Sequence, residues 1–102
     1  MTEKNNGVVR DYYDEDKIKL SNTYYIFNGK KEGEYKEYWA NEQLNLIRNY
    51  KNGNLEGEYK LYREDGQLNL ICNYKNGNLE GKYKLYWEDG QLYLICNCKI
   101  YH

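Results

Sequence analysis

The chain repeats itself, and the repeat limits its fold more than any other feature. Gly33, Gly57 and Gly81 stand 24 residues apart. Residues 33–56 read GEYKEYWANEQLNLIRNYKNGNLE and residues 57–80 read GEYKLYREDGQLNLICNYKNGNLE; they differ at six of 24 positions. The unit from 81 differs from its predecessor at seven of 22. An earlier, degenerate copy aligns Val9–Leu20 with Tyr35–Leu46 at an offset of 26, and Asn28-Gly29 with Asn52-Gly53 at an offset of 24. It therefore carries two extra residues near Ser21–Tyr25. A period of this length marks a stack of supersecondary units, each too small to bury its own apolar side. The reading is residues 1–7 as an N-terminal tail and 8–102 as a single repeat domain, in units of about 8–32, 33–56, 57–80 and 81–102.

Each unit holds two turn signals. Asn28-Gly29, Asn52-Gly53 and Asn76-Gly77 suit a type I′ turn, which needs φ > 0 at both central residues. Asp65-Gly66 and Asp89-Gly90 form the second series, with Asn41-Glu42 in their place one unit earlier. Two turns per unit leave two strands, so each unit is a β-hairpin, and no stretch has helical period. The expectation is an all-β, elongated, single-layer antiparallel meander of about eight strands.

Treating both turns as two-residue loops gives a register. Around Asn52-Gly53, Tyr50 faces Leu55, Arg48 faces Gly57, Leu46 faces Tyr59 and Leu44 faces Leu61. Around Asp65-Gly66, Arg63 faces Leu68, Leu61 faces Leu70, Tyr59 faces Cys72 and Gly57 faces Tyr74. Both turns put Leu55, Gly57, Tyr59, Leu61, Leu68, Leu70, Cys72 and Tyr74 on one face. Gly57 opposite Tyr74, like Gly33 opposite Tyr50, is the pattern in which a ring lies over a glycine. A side chain at Gly57 is then expected to collide with Tyr74. In the last unit Gly81 faces Cys98, and the ring is lost.

The spacing Tyr50-x-x-Gly53-x-x-x-Gly57-x-Tyr59-x-x-Tyr62-x-x-x-Gly66-Gln67-Leu68 resembles the MORN repeat. It is closest to the variant found in many bacterial and some large-virus proteins, some of them antitoxin components. The common unit has a second glycine two residues after Gly57, where this chain has Tyr59. The resemblance implies hairpin meanders, no catalytic residues, and a non-enzymatic scaffold for protein–protein interaction; an antitoxin or immunity-type protein neutralising a toxin is the alternative.

Charge and residue types exclude several functions. Fifteen Lys+Arg against 16 Asp+Glu leave a net charge of −1, without the basic field of a nucleic-acid binder. No run of apolar residues is long enough for a spanning helix. The start has no secretory pattern, so the expectation is a cytoplasmic protein. Mean hydropathy is −1.11, which favours disorder, but the 17% aromatic content opposes it. Lys36, Lys60 and Lys84 alternate with Glu34 and Glu58, so no membrane partner is expected. One His, at position 102, cannot complete a Ser/His/Asp or Cys/His set, and with Cys72, Cys96 and Cys98 it makes a poor zinc site. No enzyme activity, metal or cofactor is expected. The cysteines read as reduced thiols. Cys72 and Cys96 lie two strands apart, and Cys96 and Cys98 are i, i+2, which reads as poorly placed for a disulfide. Glu64-Asp65, Glu88-Asp89 and Asp14-Glu15-Asp16 read as ordinary turn chemistry.

Two ladders remain as partner-binding candidates. Trp39, Arg63 and Trp87 share one repeat position beside the acidic turn; Tyr35, Tyr59 and Tyr83 share another. These residue types anchor interfaces and also simply pack across strands. The apolar face has no helix to cover it. The sheet curls on itself, two copies associate as a homo-oligomer, or a protein partner covers the face.

Overall fold

The structure is a computed structural model and describes residues 6–99, with side chains through Cys96. The expectations for the tail at 1–5, for His102 and for the end of the terminal Cys-Lys-Ile-Tyr-His strand lie outside the described residues. The chain forms one open antiparallel sheet, with no helix among the described residues. The strands are β1 (Gly7–Tyr12), β2 (Leu20–Phe27), β3 (Lys30–Tyr38), β4 (Leu44–Lys51), β5 (Asn54–Leu55), β6 (Gly57–Tyr62), β7 (Leu68–Lys75), β8 (Asn78–Tyr86) and β9 (Leu92–Lys99). The order β1-β2-β3-β4-β6-β7-β8-β9 is a pure meander, and β5 is a two-residue piece paired with β4. The Cα envelope is 49 × 36 × 15 Å, the shape of a single elongated layer.

The Asn-Gly turns are type I′. Asn28, Asn52 and Asn76 each have φ 52°, and Gly29, Gly53 and Gly77 have φ 77–86°. The Asp-Gly turns are longer than the two-residue reading. The N–H of Arg63 donates to the Gln67 carbonyl at 2.8 Å, and that of Gly66 to the Arg63 carbonyl at 2.9 Å. These are three-residue loops closed by a residue with positive φ, here Gly66 at 91°. Trp39 with Gln43 and Trp87 with Gln91 close their loops in the same way. In each loop the second polar residue accepts from the backbone two residues on: Gln43 N–H to Asn41, Gln67 N–H to Asp65, Gln91 N–H to Asp89, at 2.9–3.0 Å. The acid of the turn is therefore an Asx-turn acceptor, a role that Asn fills equally.

The register departs from the expectation in two places. At the Asp-Gly loops, Tyr62 pairs with Leu68 and Leu61 with Leu70, so Asn69 is an extra residue and Arg63 does not face Leu68. At the Asn-Gly hairpins the pairing slides by two residues. Tyr50 pairs with Leu55 as expected, but Leu46 pairs with Leu61, not Tyr59, and Ile47 pairs with Lys60. Residues 56–59 oppose only Arg48 and Asn49, and the same slide recurs at β2–β3 and β7–β8. A shift of two preserves side-chain parity, so the faces survive although the neighbours change.

The slide also changes the reason for the mid-strand glycines. Gly33, Gly57 and Gly81 lie at the bulges with φ of 82°, 94° and 83°. Gly33 pairs with Tyr50 and Gly57 with Tyr74 as expected. A Cβ at Gly57, however, would meet only Asn49 Cβ at 3.9 Å, and at Gly33 or Gly81 nothing within 4 Å. The expected collision with Tyr74 is absent, and backbone conformation requires these glycines. The Tyr74 ring instead lies 5.4 Å from Tyr59.

Tyr35, Leu46, Leu70 and Cys72 are the buried hydrophobic residues, all on the expected Leu/Tyr face. No second layer covers them among the described residues. Their burial comes from neighbours on the same face, such as the Tyr24 and Tyr50 rings against Tyr35. The opposite face carries Lys36, Ile47, Lys60, Ile71, Lys84 and Ile95 in one cross-strand row, cation and isoleucine alternating.

Successive units are joined at their turns. The N–H of Asn52 donates to the Glu32 carboxylate and that of Asn76 to Glu56, both at 2.9 Å. Gly53 and Gly77 donate to the carbonyls of Lys31 and Leu55 at 3.0 and 2.9 Å. Each turn tip is thus held by the unit before it, through two donors that a bare hairpin would leave to water. Glu32, Glu56 and Glu80 recur at the period of the repeat, the one trace of this latch in the sequence.

Candidate functional site

Two of the ladder residues meet at one place. Trp39 and Arg63, which close neighbouring loops, line an open cleft of about 560 Å³ together with Glu64, Asp65 and Glu88. Tyr62 and Asn69 also reach it, because the bulge at Asn69 breaks strict alternation beside the loop. Arg63 is anchored: its Nη2 donates to the Tyr86 carbonyl at 2.7 Å. Tyr13, at the same repeat position in the first unit, reaches the Tyr38 carbonyl through its hydroxyl. Tyr13 and Arg63 thus each staple one unit to the next, a bond that Trp39 at the same repeat position does not make. The buried Trp39 Nε1 and Arg63 Nε have no acceptor within the protein. The cleft combines the Trp39 ring with three carboxylates beside a single guanidinium.

Trp87 lies apart from the cleft. It is 51% exposed, with its ring 4.2 Å from that of Tyr93. Tyr35 is buried in an aromatic–cation cluster rather than presented to a partner. Its ring stacks on Tyr24 at 5.3 Å and meets Tyr50 edge-on at 6.1 Å. The Arg48 guanidinium lies 4.3 Å from its centre and Lys31 Nζ 5.1 Å away. Burial, with its hydroxyl donating to Glu37 at 2.9 Å, pushes the Tyr35 pKa up to about 12. Tyr59 and Tyr83 are half-buried, opposite Cys72 and Cys96. The structure thus unites Trp39 and Arg63 and leaves the other four candidates elsewhere. The acidic loop residues that complete the cleft were legible as turns but not as neighbours of Trp39, because the cleft spans two units.

Cys72 is free and only 2% exposed, and burial pushes its thiol pKa up, so it stays protonated and inert. Cys96 is disulfide-bonded, which corrects the expectation of reduced thiols throughout. The two-strand separation from Cys72 stands. Among the described residues no cluster of three His, Cys, Asp or Glu is placed to hold a metal ion, and no helix is long and apolar enough to cross a membrane.

Three tandem hairpins at constant spacing, with glycine-strand bulges and Asn-Gly latches, match a known repeat. The model of the MORN repeat variant matches residues 31–52, 55–76 and 79–99. The chain belongs to the MORN repeat-variant family. Comparison with curated proteins and with solved structures returned no match. Each match begins two residues before a mid-strand glycine and runs through that glycine strand into the Leu strand that follows it.

Proposed function

We propose that this MORN-repeat chain is a non-enzymatic scaffold that holds a protein partner at the Trp39–Arg63 cleft. The observation that carries this reading is the composition of the cleft. It offers a tryptophan and an excess of carboxylates, which together suit a partner segment bearing Lys or Arg beside an apolar side chain. The family is in general non-enzymatic. The toxin-neutralising reading differs from this one only in the identity of the partner.

The test is affinity capture from the native cell with the wild type, Trp39→Ala and a Glu64→Lys/Glu88→Lys double variant. Thermal melts establish that each variant is folded. The reading expects one protein retained by the wild type and lost with both variants. Retention of the same protein by both would sink the cleft as the contact surface.

A further inference from the structure

Lys36, Lys60 and Lys84 share one repeat position, but the residue two before each changes in the last unit: Glu34, Glu58 and then Lys82. The first two lysines are neutralised on their own strand. Lys36 Nζ lies 3.5 Å from the Glu34 carboxylate, and Lys60 Nζ 3.4 Å from that of Glu58. Lys82 and Lys84 have no ion-pair partner among the described residues. The strand junction gives them room. Between the Ile71–Lys84 and Tyr74–Leu79 pairs, residues 80–83 of β8 oppose only Cys72 and Asn73. Beside that irregularity lies an open cleft of about 290 Å³ lined by Ile71, Asn73, Lys82 and Lys84. It sets two cationic side chains and an amide beside the half-buried Ile71.

We propose that this cleft is a second docking site, for a protein segment that carries carboxylates beside an apolar side chain. Charge complementarity sets the sign of the ligand: two lysines without a carboxylate of their own face the same space. Carboxylate oxygens there can accept from both lysines and from the Asn73 amide, while Ile71 offers the apolar contact. The surroundings limit the size of the ligand. Glu58 stands opposite Asn73, and Glu80 is exposed two residues before Lys82 on the same face. These carboxylates confine the positive field to one cleft. A membrane surface or a phosphate backbone is gripped by a longer basic tract, and on this face either would meet both glutamates. The site is opposite in charge to the Trp39–Arg63 cleft and shares no lining residue with it, so this inference does not depend on that cleft or on its partner.

Calorimetric titration with a short synthetic peptide of glutamates and glycines around one central leucine tests it, with glutamine in place of glutamate as the control. The wild type is expected to bind the acidic peptide one to one, more weakly as salt rises, and to bind the control at least about tenfold more weakly. Lys82→Glu gives the last unit the Glu-x-Lys arrangement of the other two, so it is expected to fold as they do and to lose about tenfold or more in affinity. Lys82→Gln is expected to fall between that variant and the wild type, and thermal melts establish that both are folded. Amide resonances give the location: those of Asn73, Lys82 and Lys84 are expected to shift on titration. Absence of binding, equal binding of the control peptide, undiminished binding by a folded Lys82→Glu, or shifts confined to other strands would each overturn the proposal. So would Lys82-dependent retention on phosphatidylserine vesicles by a protein that ignores the peptide, which would assign the cleft to a membrane surface instead.

Discussion

Leu46, Leu70 and Leu94 hold one position in three consecutive units, and their exposures are 6%, 8% and 46%. Ile47 and Ile71 are half-buried and Ile95 is 48% exposed; Leu44 and Leu68 are half-buried and Leu92 is 50% exposed. The compared side chains are identical, and the strands nearly so: LNLIRNYK, LNLICNYK and LYLICNCK. The difference is the next strand, which lies beside β4 and β7, whereas β9 is the last strand of the sheet among the described residues. A unit of this fold does not bury its own Leu strand; the unit after it does. Stability is thus a property of junctions rather than of units.

The largest expected effect comes from truncating the same residue in the two settings. Leu70→Ala should cost about 2–4 kcal/mol, as a buried leucine does, and Leu94→Ala well under half of that. Urea midpoints would show it, and equal losses would break the comparison. Gly57→Ala and Gly81→Ala should each cost about 1–2 kcal/mol, because both sit at positive φ where a Cβ is disfavoured. Here the buried and terminal settings should agree, since neither Cβ meets a crowded site. A much larger loss at Gly57 would mean that packing, not backbone conformation, demands the glycine. Glu56→Ala removes the acceptor of the Asn76 N–H and should cost about 1 kcal/mol. Glu80→Ala should cost less, because no Asn-Gly pair follows it in the sequence.

A smaller gain is expected from Glu42→Gly. Glu42 has φ 74° where the later units place Gly66 and Gly90, so relieving it should stabilise by about 0.5–1 kcal/mol, read as a raised midpoint. The last effect lies outside neutral pH. The folded state holds the Tyr35 proton more tightly than the unfolded chain does. Its contribution is therefore complete below about pH 10 and is lost as pH rises toward the folded value of about 12. Tyr35→Phe should flatten the alkaline fall in melting temperature between these limits.

The Tyr35 cluster shows how far units of similar sequence diverge. Arg48 occupies the position of Cys72, and Lys31 that of Leu55. The first junction is accordingly held by rings and cations, whereas the equivalent face of unit 57–80 brings together Tyr59, Tyr74 and a buried thiol. One hairpin geometry accepts both because each junction needs only that its facing side chains complement one another.

The hairpins, turn positions and two faces were legible in the sequence. Asn-Gly and Asp-Gly dictate chain reversal through local φ preferences, and strand alternation carries every second residue to one side. Those are short-range constraints, and Leu70 and Cys72 were assignable to the buried face from them alone. The register within the face was not legible, since a two-residue slide leaves every side chain on its own side. The cleft was hidden for a related reason: Trp39 and Glu88 belong to different units, and their proximity depends on how units stack. The contrast between Leu70 and Leu94 was also beyond the sequence pattern, which repeats the residue faithfully. Local chemistry determined the hairpins, while the tertiary structure decided which bulge absorbs the slide, which loops share a cleft and which Leu strand is left uncovered.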